Sequence, residues 1–98
     1  MVNVLIRHNV VDLPRWKQSF DSNLSMRKAG GELEYRIFHN HANPTDLFVL
    51  CEFETLEMAK RYFASDALKK AMTDAGVTGT PEVIFLDQVR SFHRTAAD

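Results

Sequence analysis

Two stretches of this 98-residue chain, Leu47-Phe48-Val49-Leu50-Cys51 and Val83-Ile84-Phe85-Leu86, are apolar at every position. A strand with one wet face alternates polar and apolar residues. A run without alternation therefore belongs to a strand covered on both faces. A chain of this length makes one domain, here residues 1–98, and has no third layer to spare. Cover for the second face has to come from another molecule. A second copy of the same sheet supplies it, since closed two-fold pairing is the commonest homo-oligomeric solution. The expectation is a homodimer built by sheet-to-sheet packing.

The remaining elements fall around these runs. Val2, Val4 and Ile6 alternate with Asn3 and Arg7, the period of a strand, and Leu5 on the opposite parity again implies two covered faces. Asp12 and Pro14 suit a helix start, and Leu13, Trp16, Phe20 and Leu24 form one apolar stripe that Gly30 and Gly31 end. Glu32 to His39 alternates as a second strand. The turn-rich segment Asn40 to Asp46 leads into the first apolar run. Thr55 is placed to cap a second helix carrying Met58, Ala59, Tyr62 and Phe63. Ser65 and Asp66 mark a break before a short helix with Leu68 and Met72. Pro81 opens the last strand, and a polar tail from about residue 90 is expected to fray. The order strand, helix, strand, strand, helix, strand is the ferredoxin-like βαββαβ pattern, an α+β fold with a four-stranded antiparallel sheet and helices on one face.

Composition narrows the function classes. Twelve Lys and Arg against thirteen Asp and Glu leave a formal charge of -1, unlike the basic surplus of nucleic-acid binders. No apolar run approaches a membrane span and no signal-peptide pattern opens the chain, so a cytoplasmic protein is expected. The single cysteine, Cys51, excludes an intrachain disulfide. Glycine-rich phosphate loops, nucleophile elbows and HExxH motifs are absent, and no cofactor is expected.

Few side chains remain as candidates for chemistry. His8 shares strand parity with Val2, Val4 and Ile6, so it points into the apolar layer. A neutral imidazole there can take a proton from a phenol or enol. The plainer alternative is a strand-end histidine bonded to backbone or water. Tyr35 and Tyr62 can bring hydroxyls to the same cavity and hold a substrate oxygen, or act as core residues with a polar handle. Trp16, Phe53, Phe63 and Met72 can wall an aromatic pocket, although helical spacing equally makes them core. His39 and His41 have a spacing that permits metal binding, but nothing completes a site, so no metal is expected. Cys51, inside an apolar strand, reads as a small hydrophobe.

With this topology, the stretches DLPRWKQSFD, NPTDLFVLCEF and FASDALKKAMTDAGVTGTPEV resemble the dimeric α/β-barrel superfamily, within it the small proteins of antibiotic biosynthesis monooxygenase type. The likeness covers nearly all of residues 2 to 89. It implies a homodimer and, among the activities of the superfamily, cofactor-free oxygenation of phenolic or quinol compounds. Polyketide cyclases, isomerases and proteins without assigned activity share the architecture, so a small-molecule-binding or structural dimer is the alternative. The haem-degrading branch implies an Asn on the first strand and Trp and His near the second helix. Residues 54 to 76 contain neither Trp nor His, which speaks against haem ligation by that route.

Overall fold

The computed structural model describes residues 1–96, and the tail end expected to fray, Ala97 and Asp98, lies outside them. The elements are β1 (Val2–Val10), α1 (Leu13–Ser22), α2 (Leu24–Ala29), β2 (Glu32–Asn40), β3 (Asn43–Phe53), α3 (Leu56–Phe63), α4 (Asp66–Asp74) and β4 (Val77–Leu86). One antiparallel sheet has the order β2-β3-β1-β4. That order and the helices packed on one face make the fold ferredoxin-like.

Strand parity decides which side chains meet the helices. Val2, Val4 and Ile6 on β1 and Leu47, Val49, Cys51 and Phe53 on β3 are buried under the helical layer with Trp16, Ala59, Tyr62 and Leu68. The opposite parity faces away from the helices. Ladder pairings Leu5↔Leu50, Leu5↔Ile84 and Phe38↔Phe48 put these apolar side chains together there. Arg7 and Asp46 close one end of this patch with a bidentate ion pair at 3.0 and 3.1 Å, and the guanidinium lies 5.0 Å from the Phe48 ring centroid.

Several boundaries differ from expectation for local reasons. The first helix is two helices, because Ser22 and Asn23 both turn their side chains back to the Ser19 carbonyl and Asn23 leaves helical geometry. Leu24 is consequently exposed and drops out of the stripe, while Met26 packs against the core. Asp12 occupies the N-cap position without a side-chain capping bond. Thr55 and Ser65 do cap, accepting from the Met58 and Leu68 amides. Most of the Asn40–Asp46 segment is strand, with only His41 and Ala42 in the turn. Pro81 sits inside β4 rather than opening it. An edge strand tolerates the missing donor. Gly30 approaches the Tyr62 ring so closely that a Cβ would collide with it, which fixes the α2 end against α3.

Candidate active site between helices and sheet

β1 turns His8 toward the helices at the rung where it pairs with Leu47. Only 6% of its surface is exposed, and among the described residues both ring nitrogens lack a hydrogen-bond partner. The backbone half of the plainer alternative, a histidine bonded to backbone or water, finds no partner among the described residues, and the imidazole lies edge-on to Trp16 at 5.7 Å between centroids. Removal from water is the sole cause that pushes its pKa down to about 4. At neutral pH it is an uncharged group with an unused acceptor and an unused donor.

A pocket of about 70 Å³, half open to the surface, lies beside it. His8, Trp16, Phe63 and Met72 line the cavity, as does Tyr62 from α3. Tyr62 is buried, and its hydroxyl pKa is pushed up to about 12, first by desolvation and then by the Glu32 charge. It is therefore a neutral O–H donor throughout the physiological range. Two of the expected residues stand elsewhere. Phe53 is wholly buried behind Tyr62 and Phe63, with ring centroids at 5.4 and 5.5 Å, and supports the wall without lining it. Tyr35 is 41% exposed and packs edge-on against Phe20 from the outer strand, so it does not join His8 and Tyr62. Cys51 lines the cavity as a thiol pushed up to about 12 by burial, its Sγ 3.5 Å from the Val4 carbonyl oxygen. His39 is exposed, with Nδ1 2.8 Å from the Asn40 carbonyl. Among the described residues no three His, Cys, Asp or Glu side chains gather as a metal site.

Sequence reasoning missed one charged feature of the cavity. Arg27 from α2 and Glu32 at the start of β2 form a buried ion pair at 3.0 Å, and both line the cavity. The guanidinium also stacks over Phe20, 3.7 Å from its centroid. Desolvation raises the Glu32 pKa, against the opposing pull of Arg27. The residues lie five apart across the Gly30-Gly31 break. No helical or strand period could have paired them, and only an arginine on an otherwise packed helix face hinted at it.

Size sets what can enter. An enclosed cavity of about 150 Å³ admits benzene, so the about 70 Å³ here holds water, and an aromatic ring either lies partly in the open mouth or widens the pocket. Met26 and Met72 are compliant wall residues for such a change. A second groove of about 270 Å³ between α4 and β4 shares Phe63, Leu68 and Met72 with the pocket, which makes these three the wall between the two.

The buried imidazole carries a stability signature. In the unfolded chain His8 takes up a proton near its ordinary pKa of about 6.5, whereas in the folded chain it does so only near 4. Between those values the unfolded state binds more protons, so His8 makes stability fall as pH drops from about 6.5 to about 4. The full effect approaches roughly 3 kcal/mol. Denaturant melts at pH 7 and 4.5 should show this loss, and His8→Leu should reduce it. The difference between the two proteins isolates His8 from Glu32, whose raised pKa works in the opposite direction. Equal losses in both would contradict the burial argument.

No family model matches the chain, and no curated protein does. Solved structures do. An antibiotic biosynthesis monooxygenase aligns over 92% of this chain and 100% of its own, with 15% identity and a TM-score of 0.67. A mutant of SnoaB, a cofactor-independent oxygenase from Streptomyces nogalater, aligns over 95% and 97%, with 12% identity and a TM-score of 0.72. Rv0793 from Mycobacterium tuberculosis aligns over 92% and 96%, with 13% identity and a TM-score of 0.63. At these identities the likeness is one of fold: the chain has the ferredoxin-like fold found in antibiotic biosynthesis monooxygenase-type proteins.

Proposed function

We propose that this protein is a cofactor-independent monooxygenase acting on a phenolic or quinol-type small molecule, and that it works as a homodimer joined through the helix-free sheet faces. The observation that carries the catalytic reading is His8, a neutral imidazole with both nitrogens unused among the described residues, beside a largely apolar pocket. A phenolic hydroxyl gives its proton to the imidazole, and the Tyr62 hydroxyl donates to the substrate oxygen. The resulting electron-rich anion passes one electron to dioxygen, and the two radicals join through a C–O bond. The hydroperoxide formed loses water to leave a quinone. One dioxygen is consumed, with one oxygen atom in the product and one in water. The fold shared with SnoaB, itself a cofactor-independent oxygenase, supports the assignment.

Oxygen uptake with a panel of hydroquinones tests the reading in purified protein free of added metal or flavin. Uptake matched by a hydroxylated quinone that carries one atom of the dioxygen, with no hydrogen peroxide released, is expected. Conversion of substrate without oxygen uptake would instead indicate a cyclase or isomerase using the same base. The small cavity favours a second reading, a non-catalytic binding dimer, for which neither conversion nor uptake is expected.

The homodimer rests on the apolar patch formed by Leu5, Phe38, Phe48, Leu50, Ile84 and Leu86 on the side without helices. Phe38 and Ile84 are among the most exposed large apolar residues of the sheet. A patch of this kind, rimmed by Arg7, Asp46 and Glu82, has the anatomy of an association surface.

A further inference from the structure

The Arg27–Glu32 pair is more than a tie between α2 and β2. Its side chains are 5% and 8% exposed, yet both line the cavity. Arg27 Nε donates to Glu32 Oε1, and Arg27 Nη1 donates to the Phe20 carbonyl. Among the described residues, Arg27 Nη2 and Glu32 Oε2 have no hydrogen-bond partner. Neither is a sealed orphan like the His8 nitrogens, so both retain contact with open space. The Phe20 ring at 3.7 Å and the Tyr35 ring at 5.3 Å hold the guanidinium in place. Free Nη2 donors and a free carboxylate acceptor therefore sit side by side on a head group whose net charge is zero.

We propose that Arg27 and Glu32 form the anchor for a hydroxyl of a neutral phenol or enol, which donates to Glu32 Oε2 and accepts from Arg27 Nη2. A hydroxyl both donates and accepts, so it can take the place of a water that bridges the two atoms. A carboxylate would bring a second anion against Glu32 in a desolvated site, and a hydrocarbon would leave the pair as it is. This rests on the phenolic reading above and refines it. Tyr35, against the guanidinium, is level with Cys51 on β3, four residues from the Leu47 that pairs with His8. The anchor and the imidazole thus stand toward opposite ends of the cavity, joined by the stacked Trp16 and Phe20 rings. A quinol carries oxygen at two edges of its ring system. The anchor takes one, and the other faces along this wall toward His8.

The experiment compares phenol, toluene and benzoate, three probes of similar size, by calorimetric titration of the full chain at pH 7. Phenol, with a pKa of about 10, is neutral there. Phenol is expected to bind at least about ten-fold more tightly than either of the others, the size of one well-made hydrogen bond. Glu32→Gln leaves the Arg27 charge uncompensated and is expected to reverse the order, so that benzoate binds better than phenol. Equal binding of phenol and toluene, unchanged selectivity in Glu32→Gln, or failure of every probe to bind would overturn the anchor. Should Glu32→Gln fail to fold, the order of the three probes in the double variant His8→Leu, Tyr62→Phe, in which the other polar groups that could hold a phenol are gone, still decides. Oxygen uptake is scored separately. A protein that oxidises quinols but lacks the probe selectivity retains the monooxygenase reading without the anchor, and one with the selectivity but no uptake retains the anchor alone.

Discussion

Phe48→Asp and Ile84→Asp are each expected to convert the protein from dimer to monomer at micromolar concentration, read by light scattering. Both residues lie on the sheet face away from the helices, Ile84 pairing with Leu5, which also pairs with Leu50. In a two-sheet interface a carboxylate at either position would be buried without a partner. Such a charge costs on the order of 3–5 kcal/mol, which corresponds to a loss of affinity of roughly two to nearly four orders of magnitude. Neither side chain belongs to the helix-facing core, so each variant is expected to keep the protomer fold, as circular dichroism can verify. An unaltered protein that is a stable monomer at the same concentration would remove the homodimer from the account.

His8→Ala is expected to lower turnover of a confirmed quinol substrate by about a hundred-fold or more, the usual contribution of a positioned acid–base group. Tyr62→Phe separates a second contribution. The ring keeps its packing against Phe53 and Phe63, so the loss reports the hydroxyl alone. About a hundred-fold is again expected if that hydroxyl stabilises developing charge on the substrate oxygen. Activity that survives both changes within a few-fold would show that these residues are not the machinery.

The fold was legible because its signals were periodic. Val2, Val4 and Ile6 alternate, Trp16 and Phe20 follow helical spacing, and the two unbroken apolar runs mark strands with both faces apolar. Boundaries were less legible where side chains compete locally with the backbone. Ser22 and Asn23 bonding back to Ser19 is a geometric choice that composition leaves open. Likewise, Pro81 is compatible with a strand only because β4 is an edge. The site was half legible. Strand parity directed His8 and helical spacing directed Tyr62 into the same layer, but neither period reports depth along the sheet. Tyr35 has the correct parity and still lies on the outer strand, beyond Phe20. Arg27 and Glu32 were out of reach for a different reason. Their meeting depends on the tight Gly30-Gly31 passage between α2 and β2, with Gly31 at φ 97°. Two adjacent glycines signal a helix stop, and nothing in that signal says which side chains the stop brings together.

A structure of the protein with a hydroquinone bound tests the central claim, that the cavity between helices and sheet is the working site. A ring is expected against Trp16 and Phe20, with one oxygen within hydrogen-bond distance of Arg27 and Glu32 and Met26 or Met72 displaced to make room. The opposite oxygen should point toward His8. A ligand seated on the helix-free sheet face or in the outer α4–β4 groove, with His8 still unpartnered and the cavity unwidened, would contradict it.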